Sequence, residues 1–362
     1  MQTDEKTVLV TGASGFVAMQ CIVQLLQKGY RVRGTVRSIQ RSARVLEVVR
    51  KHVDVSGGRL TLVQADLGSD EGWQQAVDGC TWVLHVASPV PTTPPKNPDE
   101  VIVPARDGTL RVLKAAAKAH VKRVVMTSST AAILYGHPRD GMRTYDEKDW
   151  SLLTSEVGPY ERSKTIAERA AWDFVAHLPE PERFELTVIN PGVILGPVPD
   201  KDFSVSGEVV RKLLTREMPG CPDLGWAMTD VRDVADAHIA AMTIPEAAGQ
   251  RFIVALEHAS MLQIAQILSR HFGPRGFKVP TRRLPNWVLK IVALFDKTAA
   301  LAVNELGKRQ DVSSERARKV LGWKPRSLET MVVDMAESMI QCGAIPMPHK
   351  RLAPAKRVPQ SS

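Results

Sequence analysis

The amino-acid sequence predicts an α/β protein with a doubly wound parallel sheet, followed by a smaller, mostly helical part. Three observations carry this prediction. Strand-like and helix-like segments alternate through the first 190 residues, a glycine-containing loop joins the first pair, and proline and glycine become frequent after Asn190. Of the 362 residues, 44% are hydrophobic and 24% charged, which is typical of a globular protein and excludes a disordered chain.

The predicted strands are short apolar runs, the pattern of parallel strands that are buried on both faces. The predicted helices repeat their apolar residues with a period of about 3.6, and Gly29 ends the first of them. The strands are expected at 7–10, 31–36, 60–64, 82–86, 123–126 and 184–189, and the helices between them at 16–28, 42–51, 70–77, 101–120 and 160–177. After Asn190, helices are expected at 209–214, 234–242, 261–270 and 298–306.

This pattern divides the chain into three parts. Residues 1–189 would form the sheet and its helices, and residues 190–345 the second part, with segments near 226–256 returning to the sheet. Residues 346–362 are rich in Pro, Lys and Ser and predict a flexible basic tail. The stretch from Trp287 to Leu306 is either a buried amphipathic cover or a membrane-surface contact, and we favour the buried cover.

The net charge of +9 arises from 48 Lys and Arg against 39 Asp and Glu. These basic residues are scattered and not interleaved with aromatic residues, which argues against a nucleic-acid partner and favours a small anionic ligand. The most apolar late stretch is far shorter than the ~20 residues that cross a bilayer, so no membrane span is expected. The first residues show no secretory signal and the four cysteines form no CxxC pair, so we expect a cytoplasmic protein without disulfides or metal.

A phosphate-binding loop is predicted between the first strand and the first helix, in the sequence TGASGFVA at 11–18. Gly12 can make the tight turn, and Gly15 lets the backbone approach a pyrophosphate at the positive end of the helix. Ala18 stands where a third glycine is common and still permits close helix packing. The residues expected to contact a dinucleotide here are Gly12, Ser14, Gly15, Phe16 and Val17.

The second predicted strand indicates which dinucleotide binds. An acidic residue at its end would bind a ribose 2′-hydroxyl, but no acid occurs between Arg31 and Glu47. Arg37 can instead hold a 2′-phosphate through its guanidinium, so we favour NADP over NAD. After the third strand, the Asp66 carboxylate could accept a hydrogen bond from the adenine amino group.

A tyrosine and a lysine at i and i+4, Tyr160 and Lys164, would lie on one face of a helix. A nearby ammonium group favours the phenolate, so we expect Lys164 to lower the pKa of Tyr160 and make it a proton donor to a carbonyl. Ser128 and Ser129 follow a strand, where open α/β sheets bind ligands, and one hydroxyl could steady developing charge on the substrate oxygen.

Together these motifs resemble the extended short-chain dehydrogenase/reductases, over about residues 5 to 345. TGASGFVA matches their TGxxGxxG/A loop and YERSK their YxxxK motif. Four further segments are similar to motifs of the dihydroflavonol reductase, cinnamoyl-CoA reductase and aldehyde/ketone reductase branch. They are VLHVASP, TSS, NPGVILGP and DVRDVADAH. The resemblance implies a Rossmann dinucleotide-binding domain over 1–189 and a substrate-binding part over 190–345.

The resemblance also implies a role for each matching residue. Tyr160 would donate the proton, Lys164 would bind the nicotinamide ribose and tune Tyr160, and Ser129 would orient the carbonyl, with Ser128 as the alternative. The remaining cofactor contacts would be Asp66 and Leu67 at the adenine, Ala87 and Ser88 at the ribose, and Pro191 and Val193 at the nicotinamide amide. The expected substrate contacts are Ser88, Ser129, Leu134, Tyr160 and Trp226.

Two positions depart from patterns of the family. Ala105 stands where many members have an asparagine that serves a proton relay, although the reductase branch commonly lacks it. Leu134 stands where plant dihydroflavonol reductases carry a polar asparagine, which favours a less polar aldehyde or ketone. Specificity should come from the region after Asn190 and from the proline-rich loop 88–98.

The function we predict is NADPH-dependent reduction of an aldehyde or ketone, by a monomer or homodimer. Two alternatives stay open within the same superfamily, namely a hydroxysteroid dehydrogenase and a sugar-nucleotide epimerase or dehydratase. An alternative from another class is a dinucleotide sensor without catalysis, which the presence of both Tyr160 and Lys164 disfavours.

Overall fold

Alternating strands and helices build a seven-stranded parallel sheet with the order β10-β7-β5-β4-β1-β2-β3. The structure is a computed structural model that describes residues 6–89, 95–138, 143–201, 203, 206–294, 303, 305–309 and 311–348. The strands are β1 (Thr7–Val10), β2 (Arg31–Val36), β3 (Leu60–Gln64), β4 (Trp82–His85), β5 (Arg123–Thr127), β6 (Thr144–Tyr145), β7 (Glu185–Pro191), β8 (Val193–Leu195), β9 (Gly225–Asp230), β10 (Arg251–Val254), β11 (His258–Ser260) and β12 (Asp311–Val312).

The helices connect these strands and cover both faces of the sheet. They are α1 (Phe16–Gln27), α2 (Ser42–Arg50), α3 (Trp73–Val77), α4 (Asp99–Lys118), α5 (Pro159–Ala176), α6 (Gly207–Leu214), α7 (Val231–Thr243), α8 (Met261–Phe272), α9 (Asn286–Val292), α10 (Glu315–Leu321) and α11 (Leu328–Gln341). The first five predicted helices and six predicted strands are all present, and their ends differ from the prediction by at most three residues.

The order in which the chain adds strands to the sheet reverses between β1 and β4. The chain runs outward from β1 to β2 and β3, and then returns to the other side of β1 with β4. Both neighbours are parallel to β1, and Val10 pairs with Gly34 on one side and with Leu84 on the other. This is the switch point at which open α/β sheets bind ligands, beyond the carboxyl ends of their strands.

Separate apolar clusters hold helices against the two faces of the sheet. One cluster joins α1, α2 and α7 to the sheet and includes the fully buried Ile22, Val49 and Phe252. The other joins α3, α4 and α5 and includes Leu9, Leu113 and Leu186. Since most of these side chains are almost completely removed from water, burial of apolar surface fixes the strand ends that carry the candidate site.

The chain after Asn190 contains more strands than its sequence indicates. A three-stranded sheet in the order β11-β9-β8 packs with α6, α8 and α11 around buried residues such as Leu213, Phe272 and Met335. β10 returns to the large sheet beside β7. These strands have three to six residues, too short for a clear alternating pattern. The division of the chain into two functional parts stays a prediction.

The stretch from Trp287 onward differs from the expected buried cover. None of the seven residues of α9 is buried, and Trp287, Ile291 and Leu294 are 63%, 50% and 77% exposed. Leu289 alone in this helix packs against the second core cluster, among the residues that the structure describes. The prediction of a buried cover is therefore wrong for α9. The predicted helix at 298–306 and the predicted tail at 346–362 lie largely outside the described residues. No helix in the described ranges is long and apolar enough to cross a membrane.

Candidate active site

The loop between β1 and α1 forms an open cradle at the switch point. Gly12 adopts a φ of 68°, in the left-handed region that favours glycine, and an added Cβ would lie 3.0 Å from the Cβ of Ala87. The amide of Gly15 donates to the Gly12 carbonyl at 2.8 Å, which closes the turn. Among the described residues no side chain caps the start of α1, so its amides and its positive helix end can receive an anion.

A buried hydrogen-bonded chain fixes this loop to β4. The Ala87 amide donates to the Thr11 hydroxyl at 2.9 Å, and the same hydroxyl lies 3.0 Å from Nδ1 of His85. Nε2 of His85 lies 3.4 Å from the hydroxyl of Thr109 in α4. Burial and the positive charge of Lys164 lower the pKa of His85 to about 3, so its ring is neutral near pH 7. Neither Thr11 nor His85 was predicted from the sequence to be part of the site.

The arginines after β1 fall into different environments. Arg37 follows β2 and is exposed, as a residue that meets a 2′-phosphate must be. Arg33 instead donates to the carbonyls of Gln75, Ala76 and Asp78 at the end of α3, at 3.2, 3.0 and 2.7 Å. It therefore supports the fold, and Arg37 stays the predicted discriminator between NADP and NAD.

The adenine-side residues lie in the turn after β3. The Asp66 carboxylate accepts the Gly68 amide at 2.7 Å through Oδ1, and the Asp66 carbonyl accepts the indole N–H of Trp73 at 2.9 Å. Leu67 is half-buried and packs against the third core cluster, close to Gly108 of α4. The turn is thus held by its own hydrogen bonds, and its contact with adenine stays a prediction.

Tyr160 and Lys164 lie in the first turns of α5, which begins at Pro159. Pro at the first helical position is favoured because its missing N–H would have no intrahelical partner. Lys164 is 6% exposed, and its Nζ lies 5.7 Å from the centroid of the Tyr160 ring. The same ammonium group donates to the Ser88 hydroxyl at 3.0 Å. The structure therefore brings Ser88, which follows β4, to Tyr160 and Lys164 of α5, the two residues that were predicted to be catalytic.

The two catalytic candidates have pKa values shifted in opposite directions. Burial lowers the pKa of Lys164 to about 8, and the carboxylate of Glu168 partly opposes this shift. Burial raises the pKa of Tyr160 to about 12, the Ser129 hydroxyl opposes the rise by hydrogen bonding, and the charge of Glu161 adds to it. The expectation that the pKa of Tyr160 is lowered is wrong for this structure, because burial of the phenol is the largest influence and raises it.

Ser128 and Ser129 point to opposite sides of the chain after β5. Ser128 is 3% exposed and donates to Oε2 of Glu168 at 2.6 Å, inside the protein. Ser129 is extended, and its hydroxyl accepts the Ala131 amide at 3.1 Å while lying beside Tyr160. Geometry therefore favours Ser129 over Ser128 as the carbonyl-orienting residue.

The remaining predicted site residues lie around the ends of β7, β8 and β9. Pro191 ends β7 and is buried, and Val193 begins β8 and is half-buried. Trp226 of β9 is half-buried against the second core cluster. Leu134 is 5% exposed within a small apolar cluster that includes Ile253 and Val312. Their contacts with cofactor or substrate stay predictions.

Acidic residues near Tyr160 were not identified from the sequence. Burial raises the pKa of Glu161, and the negative charge of Glu305 raises it further. Burial raises the pKa of the Tyr135 phenol well above its usual value, and Glu305, Glu161 and Tyr160 raise it further. Within the described ranges no group of three His, Cys, Asp or Glu side chains could hold a metal ion.

A parallel sheet with a glycine turn at its switch point, and a buried lysine beside a tyrosine at the adjoining strand ends, define a dinucleotide-binding enzyme of the Rossmann type. Residues 8–256 match the family model described as "NAD dependent epimerase/dehydratase family". The chain belongs to this family, as its motifs predicted, and the expectation of an oxidoreductase is confirmed.

Several relatives of this chain are named as reductases. It is 36% identical over 283 residues to "Cinnamoyl-CoA reductase 1" of Arabidopsis thaliana, which covers 76% of this chain and 77% of the relative. It is 32% identical over 357 residues to a ketoreductase of Aspergillus niger, covering 93% and 98%. The yeast methylglyoxal/isovaleraldehyde reductase Gre2, solved with NADPH, has 27% identity, a TM-score of 0.77 and coverage of 94% and 100%. This likeness confirms the predicted fold class.

Proposed function

We propose that this protein reduces an aldehyde or ketone to an alcohol with NADPH, and that Tyr160 donates the proton to the carbonyl oxygen. The observation that carries the proposal is the meeting of Tyr160, Lys164 and Ser129 at strand ends beside the switch point. Carbonyl reduction in general is supported by relatives that are reductases, and one of them, yeast Gre2, is named as NADPH-dependent and has been solved with NADPH.

NADPH is the cofactor that the residues fit. Its pyrophosphate would be held at the open start of α1, where a Cβ on Gly12 would crowd Ala87. The exposed Arg37 would hold the 2′-phosphate, and Asp66 and Leu67 would flank the adenine. Lys164 would bind the nicotinamide ribose and Pro191 and Val193 the amide end. When bound, NADPH supplies the hydride for the carbonyl carbon.

The residues of the chain would then manage the proton. With its pKa near 12, the Tyr160 phenol is protonated at neutral pH and can donate to the oxygen as negative charge develops there. The Ser129 hydroxyl would hydrogen-bond to the same oxygen and orient it. The Lys164 ammonium would stabilise the phenolate that remains, and its hydrogen bond to Ser88 keeps it in place.

The substrate we favour is a weakly polar aldehyde or ketone. Leu134 and Trp226 would offer apolar surface, and the negative charge of Glu161 beside Tyr160 would disfavour an anionic compound. Ser88 would contact the substrate from the start of the loop 88–98, of which residues 90–94 lie outside the described ranges.

The test is consumption of NADPH, followed by its absorbance, with aromatic aldehydes, β-ketoesters, a dihydroflavonol and a 3-ketosteroid, and with NADH in parallel. We expect consumption with the aldehydes or ketones, and a fall in kcat by a factor of about 100 or more in Tyr160→Phe with NADPH still bound. Turnover of the steroid alone would favour the hydroxysteroid dehydrogenase. Tight NADPH binding with no turnover of any carbonyl would overturn the proposal.

A further inference from the structure

A buried polar cluster lies directly behind the candidate catalytic residues and has no role in the mechanism above. Its centre is Glu168, which is 0% exposed and lies one helical turn beyond Lys164 in α5. Oε2 of Glu168 accepts hydrogen bonds from Ser128 Oγ at 2.6 Å and Asn190 Nδ2 at 2.9 Å. Oε1 accepts from Arg251 Nε at 2.5 Å. One carboxylate thus joins β10 and the ends of β5 and β7.

This cluster controls the backbone at Ser129. Asn190 Nδ2, besides its bond to Glu168, lies 3.1 Å from the Ser129 carbonyl and donates to it. Ser128, the preceding residue, is tied by its hydroxyl to Glu168 and by its amide to the Ile189 carbonyl at 2.8 Å. Because Ser128 and the carbonyl of Ser129 are both held, the Ser129 hydroxyl has little freedom to leave Tyr160.

Arg251 anchors the cluster to the rest of the molecule. Its Nη1 donates to the carbonyls of Glu147 and Asp149 at 3.0 and 2.8 Å, and its guanidinium lies 3.7 Å from the centroid of the Trp150 ring. The pair of Arg251 and Glu168 is nearly fully buried, so each charge depends on the other. A fixed and anchored carboxylate can hold the strand ends without rearranging during a reaction.

We propose that Glu168 is a positioning residue for the proposed reaction, acting through Ser128 and Asn190 to hold the Ser129 hydroxyl against Tyr160. The proposal rests on the proposed function and adds to it a residue that touches neither cofactor nor substrate. Glu168 has a second effect in the same place, because its negative charge favours the protonated form of Lys164.

The groups that face Lys164 allow this charge effect to be isolated. Ser88 is a neutral hydroxyl bonded to Lys164, His85 is neutral near pH 7, and Tyr160 is protonated. Glu168 and its partner Arg251 are the charged groups of the cluster. Loss of the Glu168 charge should therefore move the pH at which Lys164 loses its proton to a lower value.

The first experiment compares Ser128→Ala with Thr187→Val. Ser128→Ala removes one contact of Glu168 but keeps the pair with Arg251, whereas Thr187 is an equally buried residue of β7 whose hydroxyl bonds to the Ala247 carbonyl outside the cluster. We expect kcat to fall about tenfold in Ser128→Ala, with NADPH affinity unchanged, because a misplaced hydroxyl lowers turnover more than binding. Thr187→Val should retain the wild-type kcat.

A second readout does not depend on activity. In protein labelled with ¹³C-tyrosine, the Tyr160 ring resonance is identified by its loss in Tyr160→Phe, and its shift reports the hydrogen bond from Ser129. The resonance should move in Ser128→Ala and stay in place in Thr187→Val. This measurement remains informative if wild-type protein reduces no carbonyl, so a failure of the proposed function is distinguishable from a failure of this inference.

The charge effect is tested with Glu168→Gln, which keeps the size of the side chain. We expect the alkaline limb of the kcat profile to shift to lower pH in Glu168→Gln and to stay in place in Ser128→Ala. If Glu168→Gln does not fold, Ser128→Ala decides the question. A kcat within twofold of wild type and an unmoved Tyr160 resonance in folded Ser128→Ala would refute the positioning role.

Discussion

At the scale of single residues, the site depends on groups whose charge is set by burial. Lys164 is drawn toward its neutral form and Tyr160 is held in its protonated form. Neither group alone suits proton transfer, because burying a cation costs folding free energy and a phenol with a high pKa is a weak acid. Beside each other they are complementary, because the phenolate left by proton transfer gives Lys164 the negative partner that it lacks.

Arg37 carries a prediction at the same scale. In Arg37→Ala, KM for NADPH should rise about 10- to 100-fold and KM for NADH should change little, because a charge-assisted bond to the 2′-phosphate contributes ~1.5–3 kcal/mol. Initial rates with each cofactor at a saturating carbonyl concentration give both constants.

Arg33→Gln is the matched control for Arg37→Ala. Arg33 lies in β2, just before Arg37, but donates to carbonyls at the end of α3, so its loss should lower stability and leave the cofactor preference as it is. An equal rise of both KM values in Arg37→Ala would show that the residue supports the fold and does not read the phosphate.

At the scale of elements, the loop between β1 and α1 is the part most constrained by its surroundings. It must turn sharply, remain close to β4, and leave the helix amides open, and Gly12 serves the first two requirements. Thr11 adds a side-chain bond to the Ala87 amide, which holds β4 and the loop together. The cradle is therefore formed before a ligand arrives.

Gly12→Ala should weaken NADPH binding at least tenfold. An alanine at a φ of 68° is strained, and its Cβ would press on Ala87 at 3.0 Å, so the loop would move from its place. Titration of NADPH by fluorescence measures the loss.

Gly29→Ala separates backbone strain from crowding. Gly29 has a φ of 87° at the end of α1, and nothing would lie within 4 Å of an added Cβ. This variant should lose ~1 kcal/mol of stability and bind NADPH as wild type does. Equal NADPH affinities for Gly12→Ala and the wild type would rule out the cradle as the binding site.

At the scale of the whole molecule, the sheet and the chain after Asn190 are linked across the crevice. Arg44 of α2 pairs with Asp200 beyond β8 through two bonds of 2.7 Å. Within the chain after Asn190, Arg326 pairs with Asp233 of α7, a helix that packs on the sheet. Such links and the shared apolar clusters make the stability of one part depend on the other.

Buried neutral histidines give the fold a dependence on pH. Burial lowers the pKa of His85 to about 3 and of His238 to about 4, from 6.5. Below pH 6.5 the unfolded chain takes up protons that the folded protein does not, so stability falls with pH until the folded pKa is reached. Each histidine should cost ~2 kcal/mol between about pH 6.5 and 5.

Urea unfolding of wild type and of His238→Gln at both pH values measures this loss. His238 bonds to Thr127 at 2.6 Å and to the Val234 carbonyl at 2.7 Å, so the variant is expected to be less stable near neutrality. Its stability should nevertheless fall less steeply on acidification. If the free energy of unfolding fell equally with pH in the two proteins, the low pKa assigned to His238 would be contradicted.

Local patterns predicted the sheet and the proximity of Tyr160 and Lys164, while the contacts between distant residues were not predicted. The glycine loop and the spacing of Tyr160 and Lys164 are visible within a few residues. Glu168, Asn190 and Arg251 are separated by up to 83 residues and meet only because β7 lies between β5 and β10. The pKa of Tyr160 was misjudged for a related reason, since burial depends on the whole fold.

Because Ser128 and Ser129 have opposite orientations, the register of β5 determines which hydroxyl faces Tyr160. Successive side chains of an extended chain alternate between its two sides, so one added or deleted residue within β5 would exchange them. The inner hydroxyl would then meet solvent, and the outer one would meet the carboxylate. Natural or engineered length changes should therefore be tolerated in the surface turns before β5 and rejected within the strand, even where the added residue is apolar.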